Sequence, residues 1–398
     1  MRRRWVGAIL ALAFGLGACT AAADPTPGPT RSRSATAPPT APSASPTPRA
    51  RVTIAYVEAA ELEAPGDRIA PAFQGAKLAI ATAAILGDLP VEVELRPVDT
   101  GGDVPGTLEV AAELARDPEV VAAIAAPGLP WQAALGDALG AAGVPWVSLS
   151  GSGVDLGSRG WDSWRRLIPD QRAEGRALGR LVRGLRGAEQ GLCVLEEVGV
   201  PAGRLLDAAV RTAGLPVRLW SRLEEADVAT AEEAVRASGC GVVVWAGEGA
   251  LGAALRRRFA EAGLRRLPFV GTGRIRGPGF LEAAGGPAEG VLAVGACADV
   301  STSTALPAQR FIQDYQAEFG LPPGPCAVEG WDAARLLIAA VREGATDRRS
   351  LASALAAMGS FDGLARTYRF TRGGDLSQPV EAVRAYQVEG GRWLERPG

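Results

Sequence analysis

The sequence predicts an α/β protein made of two doubly wound lobes in series, with a ligand cleft between them. The first observation is that short apolar runs alternate with helical periodicity from Arg51 onwards. The second is that the same alternation restarts near Gly191. The third is a group of glycines and small hydroxyl residues after the apolar run 144–147, where a strand ends and open α/β sheets bind ligands.

Each lobe is expected to contain five strands separated by helices. In the first lobe the apolar runs predict strands at 52–57, 91–97, 120–125, 144–147 and 165–168, with helices at 70–84, 107–117 and 131–142. In the second they predict strands at 191–196, 217–220, 242–246, 269–271 and 291–296, with helices at 202–213, 230–238 and 250–262. Two long helices at 307–319 and 327–343 and a β-rich tail at 360–393 complete the chain.

The composition excludes several classes of function. The 398 residues are 47% apolar and 22% charged, as in ordinary soluble domains, and the net charge of −2 gives no electrostatic basis for binding nucleic acid. The chain has no histidine, which excludes histidine-based triads, histidine general bases and histidine-ligated metals. The five cysteines have no metal-binding spacing, so neither a metal nor another cofactor is expected.

The N-terminal 1–19 segment is predicted to be a signal peptide. Three arginines precede an apolar stretch that is too short to span a bilayer. The segment ends in Leu16-Gly17-Ala18-Cys19, which resembles a bacterial lipobox and implies that Cys19 is acylated and anchors the protein to the outer face of the cell membrane. The alternative is an ordinary secretory signal with an incidental cysteine.

The segment 20–50 is predicted to be a disordered linker. Eight of its 31 residues are proline, and serine and threonine supply ten more. Such a composition cannot bury enough apolar surface to fold. The segment therefore has the character of a tether between the lipid anchor and a folded domain.

The candidate ligand-binding residues follow the strand predicted at 144–147. They are Ser148, Ser150, Gly151 and Ser152. Small hydroxyls and glycines leave backbone N–H groups free and let a ligand approach the main chain closely. The alternative is a solvent-exposed turn, which favours the same residue types.

Several phrases in this order resemble type I periplasmic binding proteins, and specifically the substrate-binding lipoproteins of branched-chain amino-acid-type ABC importers. The resemblance covers about residues 51–398 and lies in the segments 72–79, 144–148, 166–170, 311–323 and 330–333. It implies two Rossmann-like lobes, the first formed by 51–171 plus 298–355 and the second by 172–297 plus 356–398. It also implies that a small polar ligand, an amino acid or related compound, is captured outside the cytoplasm and delivered to an ABC permease.

The resemblance also indicates where a ligand would bind and where this chain departs from the family. Gly151 and Ser152 match positions that hold the ligand's carboxylate and ammonium in amino-acid-binding members. The loop 126–131 lacks the family's hydroxyls, and its Trp131 is either a wall of the cleft or the first turn of a helix. Thr272 stands where the family has the acid that takes the ammonium, so a plain branched-chain amino acid is not the expected ligand.

Charged residues on neighbouring loops leave two interpretations open. Glu248 is either an acid that substitutes for the missing carboxylate or an ordinary surface residue. Arg274 and Arg276 are expected to form a solvated basic loop, with contact to an anionic ligand as the alternative.

Two other functions are compatible with parts of the sequence. The stretch 247–252 has the pattern GxGxxG after a strand and before a helix, the local context of dinucleotide binding, but the next strand ends without a ribose-binding acid. A nucleotide-dependent enzyme is thus one alternative to a binding protein without catalytic activity, and the missing acid argues against it. The other alternative is a ligand-sensing receptor module without a transport role.

The four downstream cysteines are predicted to form two disulfides, Cys193–Cys240 and Cys297–Cys326. An exported location permits oxidation. The first pair follows from the common 2-1-3-4-5 strand order, which makes the strands at these two cysteines neighbours. The second pair depends on the hinge that the family resemblance implies. Four buried free thiols are the alternative.

The lipobox leads to a direct test in the native host. Replacing Cys19 by alanine removes the thiol that would be acylated, so the Cys19→Ala protein is expected to leave the membrane fraction. Cell fractionation followed by immunoblotting measures this, with the unmodified protein as the control. Unchanged membrane retention of the variant would show that the anchor is not at Cys19.

Overall fold

The computed structural model describes residues 50–59, 71–127, 131–151, 153–301 and 303–396. The predicted signal peptide with Cys19, nearly all of the predicted linker, and Ser152 lie outside the described residues. Within the part that is described, no helix is both long and apolar enough to cross a membrane.

The first lobe contains a five-stranded parallel sheet in the order β2-β1-β3-β4-β5. Its strands are β1 (Arg51–Glu58), β2 (Glu92–Asp99), β3 (Val120–Ala125), β4 (Trp146–Ser148) and β5 (Trp164–Arg166), and the helices between them are α1 (Pro71–Leu86), α2 (Val104–Arg116) and α3 (Gln132–Ala141). Strand β3, with the sequence VVAAIA, is buried at every residue because helices cover both faces of the sheet.

The second lobe repeats this arrangement. Its parallel strands are β6 (Leu192–Glu197), β7 (Val217–Leu223), β8 (Val242–Ala246), β9 (Phe269–Gly271) and β10 (Leu292–Gly295), and its helices are α4 (Gln171–Arg183), α5 (Gly203–Ala213), α6 (Val228–Ser238), α7 (Gly249–Glu261) and α8 (Pro278–Ala284). The parallel strands lie in the order β10-β9-β8-β6-β7, with helices packed on both faces. The predicted α/β class and the two doubly wound lobes are confirmed.

The C-terminal part of the chain contributes to both lobes. It contains α9 (Leu306–Phe319), α10 (Ala327–Arg342), α11 (Arg348–Ala357), β11 (Ser360–Asp362), β12 (Thr367–Arg369), β13 (Arg384–Glu389) and β14 (Arg392–Glu395). Strands β13 and β14 extend the second sheet in antiparallel fashion beyond β10. Helices α10 and α11 pack on the first sheet.

The structure corrects the predicted start of the last lobe 2 segment at residue 356. Tyr368 and Leu376 are buried in the core of the first lobe. The Tyr368 hydroxyl donates to Asp332 of α10 at 2.8 Å, which fixes the β11–β12 hairpin there. The chain therefore rejoins the second lobe only at β13.

Both expected disulfides are present in the structure. Cys193 and Cys240 are bonded with a Cα–Cα distance of 5.7 Å, because β6 and β8 are neighbours in the sheet. Cys297, just after β10, is bonded to Cys326 at the start of α10, with a Cα–Cα distance of 5.0 Å. The second disulfide joins the segment that leaves the second lobe to a helix of the first.

The Cys193–Cys240 disulfide is expected to stabilise the second lobe. It closes a loop of 47 residues, so the Cys193→Ala/Cys240→Ala variant should lose about 2–4 kcal/mol of unfolding free energy in a urea titration. As the control for the pairing, the unmodified protein is digested without reduction and its disulfide-linked peptides are mapped. Free thiols at both positions, or a link from Cys193 to Cys297, would contradict the pairing.

Candidate functional site

A cavity of about 340 Å³ lies where the carboxyl ends of strands from both sheets approach each other. The first lobe contributes Pro127 after β3 and Ser150 and Gly151 after β4. The second lobe contributes Glu174 from α4 and Thr272 after β9. This is the position at which open α/β sheets bind ligands, so the cavity is the candidate site.

Ser148 supports the loop at this cavity from within the protein. Its hydroxyl is fully buried and donates to Gln132 Oε1 of α3 at 2.5 Å. The Ser150 backbone N–H in turn donates to Ser148 Oγ at 3.2 Å. Of the predicted hydroxyl residues in this stretch, Ser150 lines the cavity, Ser148 shapes the turn, and Ser152 lies outside the described residues.

Gly151 brings the two lobes into contact beside the cavity. Its carbonyl oxygen accepts a hydrogen bond from the Gln171 backbone N–H at the start of α4, at 3.0 Å. A Cβ at this position would lie 2.9 Å from the Pro169 carbonyl oxygen, closer than real Cβ contacts come. Glycine is therefore required for the close approach of this loop to the segment that crosses between the lobes.

Thr272 lines the cavity and has a buried side-chain hydroxyl. Only 4% of the residue is exposed, and its hydroxyl has no hydrogen-bond partner within the described parts of the chain. A buried hydroxyl left without a partner costs about 1–3 kcal/mol. An unsatisfied hydroxyl in a residue of the cavity wall makes Thr272 a candidate binding residue.

Trp131 and Glu248 do not line this cavity. Trp131 is half exposed and caps the start of α3, and its indole N–H donates to the Gly102 carbonyl at 3.1 Å. Glu248 is ion-paired with Arg274 at 2.5 Å, and both side chains are partly exposed. Trp131 therefore belongs to the start of a helix and Glu248 is a partly exposed surface residue, which are the non-binding alternatives that the sequence left open for them.

Glu174 lines the cavity, although the sequence patterns did not identify it as a candidate binding residue. It lies in the first turn of α4, which begins after Asp170 caps the helix by accepting from the Ala173 N–H at 2.7 Å. Burial raises the pKa of Glu174 to about 7, and nearby Asp170 adds to the rise, while the Gly273 N–H and the charges of Arg274 and Arg276 oppose it. The acid in the first turn of a crossover helix was the available signal.

Arg276 is a buried part of the cavity wall, so the expectation of a solvated basic loop is wrong for this residue. Its guanidinium donates to the Cys297 carbonyl at 2.9 Å and to Asp299 at 3.4 Å. It also lies over the Tyr386 ring at 3.4 Å from the centroid. These contacts fix the guanidinium in place, whereas Arg274 remains exposed and pairs with Glu248.

The GxGxxG stretch has a packing role. A Cβ on Gly247 would collide with Trp245, and one on Gly252 would lie 2.6 Å from the Trp245 indole nitrogen. The Glu248 backbone N–H donates to the Glu197 carboxylate at 2.5 Å. A carboxylate thus occupies the backbone donor that a phosphate would need, which argues against dinucleotide binding at this loop.

A second cavity of about 820 Å³ lies elsewhere in the structure. Its lining includes Asp299, the prolines after α9, and Trp393 of β14. It is not formed by the carboxyl ends of parallel strands, and its buried arginine, Arg276, is already paired with Asp299. Among the described residues there is no group of three or more potential metal ligands. The smaller cavity therefore remains the candidate site.

Comparisons with known proteins give one family and one fold. A family model described as periplasmic binding protein matches residues 65–392. No curated protein matches the chain. The substrate-binding protein LivJ from Streptococcus pneumoniae, solved with isoleucine, is 17% identical with a TM-score of 0.71, and the match covers 87% of this chain and all of that one.

Two further solved structures share the fold. The leucine-binding protein LivK from Thermotoga maritima is 19% identical with a TM-score of 0.69, covering 87% of this chain and 98% of that one. A solute-binding protein from R. palustris, solved with benzoate, is 20% identical with a TM-score of 0.69, covering 87% and 95% of the two chains. The same architecture thus holds chemically different ligands in these proteins.

The raised pKa of Glu174 predicts a pH-dependent gain in stability when its charge is removed. A folded-state pKa above the unfolded value means that stability falls as the pH rises from about 4.5 to about 7. Glu174→Gln should therefore stabilise the protein by roughly 1–3 kcal/mol at pH 8 and by much less at pH 4.5. Thermal unfolding at the two pH values measures this.

Glu233→Gln, on the exposed face of α6, is the matched control and should change neither value. A Glu174→Gln protein that is less stable than the unmodified protein at pH 8 would contradict the account of this carboxyl.

Proposed function

The chain belongs to the periplasmic binding protein family, which is a family of solute-binding proteins and not of enzymes, and we propose that its ligand site is the 340 Å³ cavity between the lobes. The observation that supports this proposal is that Thr272 lines the cavity and that its buried hydroxyl has no hydrogen-bond partner in the described chain. Ser150 and Gly151 of the other lobe line the same cavity. A ligand there would contact both lobes.

Closure of the lobes follows from this location. A ligand that touches both lobes binds the closed arrangement more tightly than the open one, so it shifts the population towards closure. The closed form then presents a different surface from the open form. We propose that an ABC permease recognises this closed form and receives the solute from it, which is the role that fits an import protein of this family.

The protein is proposed to act outside the cytoplasm, tethered through Cys19. The support is the lipobox in the sequence and the proline-rich segment 20–50 that follows it. The folded part begins with β1 at Arg51, directly after this segment. The lipid would hold the protein at the membrane while the linker lets the lobes reach solute and permease.

Thr272→Val tests the ligand site. The purified protein is screened by thermal shift against amino acids, amides, amines and aromatic acids, because a ligand that binds only the native state raises the unfolding midpoint. For the solutes that bind, Thr272→Val should weaken affinity about 5- to 150-fold in calorimetry, the loss of one hydrogen bond to a buried group. Its unfolding midpoint should be unchanged or slightly higher, since the hydroxyl has no partner.

The control is Thr230→Val, on the exposed face of α6 in the same lobe. It should leave both affinity and stability unchanged. If every solute that binds the unmodified protein binds Thr272→Val equally well, the ligand site lies elsewhere.

A further inference from the structure

Glu174 differs from the other charged residues that line the cavity, Arg274 and Arg276, in having no ion-pair partner among the described residues. Its carboxylate lies against the loop after β9, with Oε1 3.7 Å from the position a Cβ would take on Gly273. It is partly accessible from the cavity and otherwise enclosed by protein. A carboxylate in this setting is poorly solvated, and a ligand cation would replace the missing water.

The two nearest cations are already engaged elsewhere. Arg274 pairs with Glu248 at 2.5 Å. Arg276 pairs with Asp299 at 3.4 Å, donates to the Cys297 carbonyl and lies against the Tyr386 ring. Neither guanidinium is free to turn towards Glu174 or towards an anionic ligand without breaking these contacts.

The charged side chains that line the cavity are Glu174, Arg274 and Arg276. Both guanidiniums pair with carboxylates that do not line the cavity, Arg274 with Glu248 and Arg276 with Asp299. Asp170, at the start of α4, adds a further negative charge that acts on Glu174. With both guanidiniums paired, the Glu174 carboxylate is left to attract a positively charged ligand and to repel a carboxylate.

Much of the remaining wall is apolar, although Gln171 and Ser150 also line the cavity. Ile168 from the crossover after β5 and Val200 and Leu205 from the second lobe line the cavity. The volume of about 340 Å³ is at the lower end of the range for small-molecule sites, so it suits a small branched body and not a large one. On the side of the first lobe, Ser150 is a hydroxyl residue in the described lining, whereas the sequence 126–131 contains no serine or threonine.

We propose that the solute of this cavity is a small amine with an apolar body and no carboxylate, and that Glu174 selects it by pairing with its ammonium group. The inference rests on the proposed function, because it concerns the same cavity. Beyond that function, it specifies the charge of the solute and identifies Glu174 as the residue that selects it. Thr272 supplies a hydrogen bond beside this pair, and the apolar walls hold the body of the amine.

Three solutes with similar branched bodies and different charges test the proposal. They are 3-methylbutylamine, L-leucine and 4-methylpentanoate, which carry an ammonium, both charges and a carboxylate respectively. In calorimetry on the purified protein at pH 8, the amine is expected to bind most tightly. Glu174→Gln should weaken its binding at least tenfold while the variant remains at least as stable as the unmodified protein.

The pH adds a readout that a merely structural role for Glu174 would not produce. The charged groups that act on Glu174 are Arg274, Arg276 and Asp170. The ammonium group of the amine stays protonated between pH 6 and 8. Amine affinity should therefore fall about tenfold from pH 8 to pH 6 as Glu174 takes up a proton, and this dependence should vanish in Glu174→Gln.

Glu233→Gln is again the control and should bind the amine as the unmodified protein does. Tighter binding of leucine or 4-methylpentanoate than of the amine would overturn the proposal, as would amine binding that Glu174→Gln leaves unchanged, or no binding by any of the three. These results would leave the proposed function standing if Thr272→Val still weakens the solutes found in the wider screen. If instead the Thr272→Val variant binds those solutes as tightly as the unmodified protein does, the cavity is not the ligand site.

Discussion

The geometry of the cavity depends on one buried ion pair, between Glu329 of α10 and Arg366 of the hairpin loop. Their charged atoms lie 3.1 Å apart, and Glu329 is fully buried. Glu329 also accepts a hydrogen bond from the Ala298 N–H at 2.8 Å, and Arg366 donates to the carbonyls of Ala296 and Ala382. The pair thereby holds two segments that pass between the lobes, one at Ala296 to Ala298 and one at Ala382, against the first lobe.

Because the pair is buried, separating the two charges costs free energy, and the pair holds one geometry. Desolvation raises the pKa of Glu329, and Arg366 with the Ala298 N–H opposes the rise. A buried pair of this kind contributes little net stability compared with an apolar replacement, but losing one partner leaves an uncompensated charge. The pair matters here because it fixes the position of Ala296 and of the neighbouring Cys297, which form part of the cavity wall.

The other segment that crosses between the lobes is held by a second buried arginine. Arg166 at the end of β5 donates to the Gly153 carbonyl at 2.6 Å and pairs with Asp375 at 3.3 Å. The crossover that follows carries Pro169 and Asp170, so the first turn of α4 and its Glu174 are placed by this anchor. Fixed crossovers and a mobile pair of lobes are compatible, because hinge motion needs only a few residues to change conformation.

The sequence predicted the features that depend on local pattern and left out those that depend on contacts between distant segments. The alternation of apolar runs gave both lobes, and the strand order led to the Cys193–Cys240 pair. The hairpin at 360–369 was assigned to the wrong lobe because the Tyr368–Asp332 hydrogen bond joins residues that no local pattern connects. An acid in the first turn of a helix, as at Glu174, stabilises the helix in any case, so this weak signal does not place the residue at the cavity without the neighbouring loop after β9.

The central claim is that a solute binds between the lobes at the carboxyl ends of their strands. The most direct measurement is the electron density of crystals grown with the solute that gives the largest thermal shift. The account predicts solute density in the 340 Å³ cavity, within hydrogen-bond distance of Thr272 Oγ1 and in contact with Ser150 or Gly151. Solute density in the 820 Å³ cavity beside Asp299 and Trp393, with the smaller cavity empty, would contradict it.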